Sequence, residues 1–172
     1  EYKEEKGMKL FEPIKIGNVE LKNRVIMAPM ENGMAEVGTG EVTDRIIAFF
    51  EERAQHNIAM IMPGSIGVSP EGRGLPTQLS LFDEKQVAGH KRLVDAVHSK
   101  GSLVAAQLYH AGRQASEAIT GLDPLAPSAI PCGILQNHPK EITHEQMDRI
   151  KEQFRQAARW SIEAGYDIVE VH

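Results

Sequence analysis

The stretch Asp83-Glu84-Lys85-Gln86-Val87, running on through Leu93, Val94 and Val97 to Lys100-Gly101-Ser102-Leu103-Val104-Ala105-Ala106, decides the fold class. It reads as one helix followed at once by one buried strand. Asp83 is a good N-cap, Gln86 three residues on is its capping-box partner, and Phe82 and Val87 occupy the hydrophobic-staple positions. Val87, Leu93, Val94 and Val97 make the apolar face, Gly101 closes the helix, and four apolar residues follow.

The same plan occurs on either side. Thr43 opens a helical pattern with Ile46, Ile47, Phe50 and Ala54 on one face, ending near His56-Asn57 and followed by the strand-like run Ile58–Met62. Thr143 opens another, with Gln146 three residues on, an Ile142/Met147 staple and Met147, Ile150, Phe154, Ala157 and Ala158 inward; Ala164-Gly165 ends it before Ile168-Val169-Glu170-Val171. Val25-Ile26-Met27-Ala28 supplies an earlier strand, and Ile14–Leu21 reads as a hairpin turning at Gly17-Asn18. Four strands that are apolar on both faces and alternate with three helices belong to a parallel α/β sheet. Long loops follow the second and third strands, whereas helices return to strands quickly. This polarity puts the chemistry at the C-terminal ends of the strands, in a (β/α) barrel or an open α/β sheet alike.

Composition narrows the class. The chain has 172 residues, 41% hydrophobic and 25% charged, enough to bury a real core and too ordinary for a disordered or collagenous chain. A net charge of −5 and a pI near 5.8 argue against nucleic acid or an anionic membrane as the main partner. No apolar run reaches membrane-spanning length and no secretory signal is visible at Glu1–Lys6, so a soluble, cytoplasmic protein is expected. The single cysteine, Cys132, excludes an intrachain disulfide framework.

At the strand ends stand Ala28-Pro29-Met30-Glu31, Pro63-Gly64-Ser65, Gln107-Leu108-Tyr109-His110-Ala111-Gly112-Arg113 and Glu170-Val171-His172. Gln107 follows four apolar residues, where an amide needs partners; it either recognises a planar ligand edge such as a flavin pyrimidine or bonds to nearby backbone. His110 and His172 end consecutive strands. They read as a metal pair, as donors to a ligand oxygen, or as structural histidines, and the lack of a strand-end Asp or a His-x-His weakens the metal reading. The other five histidines, His56, His90, His98, His138 and His144, are expected in solvent. Glu170 is expected to pair with a basic residue such as Arg24. Cys132, with no neighbouring base, is expected to be inert.

Asn23–Met30, Gly72-Arg73-Gly74, Gln107–Arg113, Ala126–Pro131 and Ala164–His172 together resemble the Old Yellow Enzyme family, in order, from about Leu10 to His172. The Ala126–Cys132 loop is most similar to the bacterial NADH:flavin oxidoreductase branch, with its 2-enoate and 2,4-dienoyl-CoA reductases. The resemblance implies a (β/α)8 barrel, FMN as cofactor, NAD(P)H as reductant and an α,β-unsaturated carbonyl or carboxyl compound as substrate. By position it implies that Ala28, Pro29, Met30 and Glu31 line the flavin. Gln107 would bond its pyrimidine edge, and the backbone N–H of Ser65 would face a flavin carbonyl. His172 would be the catalytic histidine that holds the substrate oxygen. Glu31 stands where Thr or Cys is frequent, Gly33 where several relatives carry Tyr, and Gly64 where Glu is frequent. A carboxylate facing the flavin would disfavour its anionic reduced form unless protonated or turned away.

A barrel of this kind takes about 250 residues and eight strands. The expected organisation is therefore a tail over 1–9 and the N-terminal half of a barrel over 10–172, which needs a C-terminal half or a second copy against its seam. An iron–sulfur cluster and a further flavin, FAD, would belong only to a longer parent chain. The alternative is a half-barrel without catalysis of its own that self-associates or pairs with a second chain.

Overall fold

A computed structural model describes residues 8–135 and 137–172; most of the tail expected over 1–9 lies outside the described residues. Ile14–Ile16 (β1) and Val19–Leu21 (β2) form the expected antiparallel hairpin, with Ile14 opposite Leu21. Ile26–Met27 (β3) leads to the helix Asp44–Ala54 (α1), then to Met60–Ile61 (β4), Ile66–Gly67 (β5), the helix Val87–His98 (α2) and the long strand Leu103–Tyr109 (β6). A single helical turn, Glu117–Thr120 (α3), and the short parallel pair Leu125–Ala126 (β7) and Lys140–Glu141 (β8) fill the next loop. The helix His144–Ala164 (α4) and the strand Ile168–Val171 (β9) follow.

β3 pairs with β4, β4 with β6 and β6 with β9, all parallel and in chain order. An open doubly wound sheet reverses its strand order at a switch point; a barrel does not. The sequential order makes this an α/β half-barrel. The second strand departs from the expected run Ile58–Met62. Pairing stops after Ile61, opposite Val104, and resumes at Ile66, opposite Leu108, on the same neighbour. Pro63-Gly64-Ser65 therefore holds one extra residue against the ladder, a bulge-like break that carries the strand further than its apolar run suggested.

Alternation along the strands separates two environments. Ile61, Val104, Ala106 and Leu108 face the helices, where they pack with Ile46, Phe50, Leu93, Val94 and Ala157 in the main core. Met60 and Ala105 face the interior, with Leu103 and Ile168 against them, and Leu21 of the hairpin closes this cluster from below. Burying each large apolar side chain contributes about 1.5–3 kcal/mol. Asn23 ties the entry of β3 to the turn after α1. Its Nδ2 donates to the carbonyl of Asn57 at 2.8 Å, and its Oδ1 accepts from Val25 N at 2.9 Å. Asn57 has φ +60°, a conformation that asparagine tolerates better than most residues.

The helix starts are those read from the sequence. Thr43 accepts from Ile46 N, and complete capping boxes occur at Asp83/Gln86 and Thr143/Gln146. Each cap is worth about 1 kcal/mol. α4 departs from expectation in its first half: Met147 is 37% exposed, and the fully buried positions are Ala157, Ser161 and Ala164. That half lies over the loops at the strand ends rather than over the sheet.

Two histidines expected in solvent are not there. His98 sits half-buried with Nε2 2.8 Å from Asp167 Oδ2. His90 is fully buried on the α2 face shared by Val87, Val94 and Val97. Its Nε2 donates to the Ser80 carbonyl at 3.0 Å, and its Nδ1 lies 2.7 Å from the Tyr166 hydroxyl. The spacing of His90 from Val87 and Val94 is that of a core position, and its two hydrogen bonds make the polar ring tolerable there. Burial holds His90 at a pKa of about 4, against an ordinary 6.5, while the bond to Ser80 opposes that shift. The unfolded chain therefore binds a proton between these pH values that the folded chain refuses. Stability from this group should be full above pH 6.5 and fall as pH drops to about 4, by on the order of 3 kcal/mol. Denaturant melts across this range should show that limb, and His90→Gln should flatten it; an unchanged limb in the variant would refute the assignment.

Candidate functional site

The interior face becomes polar toward the C-terminal ends of the strands. Gln107 lies opposite Glu170 in the β6–β9 register, and its Nε2 donates to Glu170 Oε1 at 3.0 Å. The same carboxylate oxygen lies 3.5 Å from His172 Nδ1. One carboxylate thus serves both the amide and the imidazole. His172 turns its Nδ1 edge toward this carboxylate, and its side chain is 53% exposed. Tyr109, two residues beyond Gln107, lies on the same face with its ring centroid 5.7 Å from that of His172.

Glu170 does not pair with Arg24 as expected. Arg24 lies at the N-terminal end of its strand, 3.8 Å from Glu12, while Glu170 is three strands away and near the opposite end. The register, not a search for opposite charge, decides its partner.

The first two strands bring a second group together. Gly64 passes so close to the first strand's end that a Cβ there would lie 2.3 Å from the Met30 carbonyl oxygen. This approach sets Ser65 against Glu31. The Ser65 hydroxyl donates to the Glu31 carboxylate, and the Ser65 backbone N–H also faces it. Gln78 donates from Nε2 to Ser65 Oγ at 2.6 Å and accepts from Gly74 N at 2.8 Å through Oε1. Burial raises the Glu31 pKa, and the hydrogen bonds from Ser65 and Gln78 oppose that rise. Ala28 and Met30 are exposed on this rim, and Pro29 is half-buried.

Glu31, Ser65, Gln78 and Tyr109 line a cavity of about 260 Å³ whose remaining wall includes Leu75, Gln114, Cys132, Ile134 and Leu135. The phenol pKa of Tyr109 is raised by burial and then by the charge of Glu31. Cys132, expected to be inert, is buried on this wall. The backbone N–H groups of Leu135 and Ile134 lower its pKa, with Arg113 adding a smaller electrostatic effect.

His110 lies half-buried beneath the Gly72-Arg73-Gly74 loop and lines one recess together with His172. Its Nδ1 accepts from Gly112 N at 3.0 Å, and a Cβ at Gly72 would lie 2.5 Å from its ring. Among the described residues no three His, Cys, Asp or Glu side chains are placed to hold a metal ion. Arg73 is buried and donates to the Gly38 carbonyl at 2.5 Å.

Sequence reasoning named Gln107, His172, Glu31 and Ser65 but passed over Tyr109, Gln78 and Gln114. Tyr109 was within reach, because period-two alternation from Gln107 puts it on the same face. Gln78 carries no local signal; only the folded loop brings it to Ser65.

The donor set fits a planar heterocycle with alternating carbonyl and N–H groups. Gln107 offers a carboxamide at the polar boundary of the interior, and exposed backbone at Ala28–Met30 borders the same end of the sheet. The resemblance of the sequence to a flavoprotein family thus meets residues of suitable chemistry.

The profile of the NADH:flavin oxidoreductase / NADH oxidase family matches residues 9–172. An NADH oxidase of Thermoanaerobacter brockii is 38% identical over 95% of this chain and 25% of its own length. A metal reductase of Desulforamulus reducens is 40% identical over 94% of this chain and 24% of its own length. Morphinone reductase in complex with tetrahydroNAD superimposes with a TM-score of 0.88 at 31% identity, covering 96% of this chain and 49% of that one. An Old Yellow Enzyme from a Pichia species gives 0.86 at 31% identity, covering 95% and 45%. The chain thus spans about a quarter of the two sequence relatives and about half of the two structures. No described helix is long and apolar enough to cross a membrane. The sequential half-barrel, the polar strand ends and the family match over nearly the whole chain agree: the chain belongs to the NADH:flavin oxidoreductase / NADH oxidase family and forms the N-terminal half of an Old Yellow Enzyme-type barrel.

Proposed function

We propose that this chain contributes the flavin platform and the substrate-oxygen donor of an FMN-dependent NAD(P)H oxidoreductase that reduces activated C=C bonds. The observation that carries the reading is the Gln107–Glu170–His172 array on the interior face, above an apolar floor. FMN, when bound, supplies hydride uptake from a reduced nicotinamide and hydride delivery to an electron-poor alkene carbon.

The chain's own residues bind and orient. Gln107, braced by Glu170 through its Nε2, would hold the pyrimidine edge of FMN, with Ala28, Pro29, Met30 and Ser65 bordering the ring. His172, whose Nδ1 lies 3.5 Å from the same carboxylate, keeps Nε2 for a carbonyl or carboxylate oxygen of the substrate. A donor placed there draws electron density out of the conjugated alkene, so the interaction strengthens as charge develops on that oxygen. Glu31 sits at the rim with its carboxylate turned onto Ser65.

In the flavin-loaded protein, Gln107→Ala should weaken FMN binding about tenfold, the effect of roughly one lost hydrogen-bonding side chain. Flavin absorbance after dialysis measures it, and undiminished occupancy would remove Gln107 from the platform. His172→Ala should keep its flavin yet lose about a hundredfold in kcat/KM for a cyclic enone, the loss typical of one oxyanion donor. Turnover at the original rate would sink the role of His172. Glu170→Ala should impair both properties at once, because one carboxylate positions both side chains; an effect confined to either would show that the shared bracing is not functional.

A further inference from the structure

The cavity beside Glu31 has a charge asymmetry that the flavin reading does not use. Its wall combines the apolar side chains of Leu75, Ile134 and Leu135 with a carboxyl from Glu31. The polar residues completing it, Ser65, Gln78, Tyr109, Gln114 and Cys132, include no Lys, Arg or His. Among the described residues Glu31 forms no ion pair; its recorded partners are Ser65, which gives it a hydroxyl and a backbone N–H, and Gln78 behind Ser65. These dipoles hold the carboxyl in place but leave its charge without a counter-ion. Gly64 fixes the arrangement, because no side chain fits between it and Met30. Glu31 is open to solvent on one side, yet its carboxylate borders a small, mostly apolar recess, where it attracts a cation and repels an anion.

We propose that Glu31 makes this cavity a charge filter that favours ligands pairing an apolar ring or chain with a protonated amine, and disfavours carboxylates. The assignment deepens the proposed reductase reading and rests on it only for the identity of the bound compound as substrate. Within the class of unsaturated compounds, it selects basic or neutral members over enoates. Tyr109 and Cys132 are the other titratable groups on the cavity wall, and Arg113 acts on the Cys132 thiol without lining the space.

The test is a charge ladder of benzylamine, benzyl alcohol and benzoate, titrated calorimetrically into the flavin-loaded protein and into Glu31→Gln. Gln keeps an oxygen to accept from Ser65 and removes only the charge. Benzylamine should bind at least about tenfold more tightly than benzoate, with benzyl alcohol between, and Glu31→Gln should collapse the spread to about twofold. Equal binding of benzylamine and benzoate, or absence of binding by all three, overturns the proposal. So does a spread that survives in Glu31→Gln. The wild-type ladder alone decides the sign should the variant fold poorly. The cavity lies within this chain, so calorimetry also reads the ladder on protein without flavin. A Glu31-dependent ladder in protein that takes up no FMN would fail the reductase reading while sustaining the filter, and the converse result would do the opposite.

Discussion

The strand Leu103–Tyr109 has both edges paired, to β4 and β5 on one side and to β9 on the other, and both faces covered at its centre. Its backbone N–H and carbonyl groups are buried, so each neighbouring strand must arrive in register or leave costly unpaired groups. That constraint places Gln107 against Glu170 and extends the second strand past Ile61. It also sets Tyr109 beside His172. The chemistry at the strand ends is a by-product of satisfying one central ladder.

The elements were legible where local chemistry decides them. Thr43, Asp83 and Thr143 announced helix starts because a short polar side chain can satisfy free N–H groups at no other place so well. Glycine stops and apolar runs then supplied the βα alternation. Barrel and open sheet remained indistinguishable from these signals, because strand order is a long-range property with no local signature. The family resemblance carried that decision. His90 was misread for the opposite reason: its position spoke of the core, but its residue type spoke of solvent, and only the carbonyl of Ser80 and the hydroxyl of Tyr166 reconcile the two.

The site divides in the same way. Gln107 stood out as an amide at the end of a buried strand. Glu31 stood out as an unusual residue in a familiar motif, yet where its charge would point could not be read from neighbours in sequence. Ser65 and Gln78 settle that, and they lie 34 and 47 residues further along the chain. The partner of Glu170 eluded sequence reasoning because electrostatic intuition looked for a cation. A parallel register delivered an amide and an imidazole instead, both able to donate to a carboxylate.

Strand order has a further consequence, one for the making of the protein rather than for its chemistry. Each parallel strand pairs with a strand one βα unit away, as Ile26 with Met60, Met60 with Leu103 and Ala105 with Ile168. No pairing among them waits for a distant segment to return across the sheet. Loops of this size close at modest entropic cost. Such a chain can add units in the direction of its synthesis on the ribosome, each new helix covering the strand just laid down.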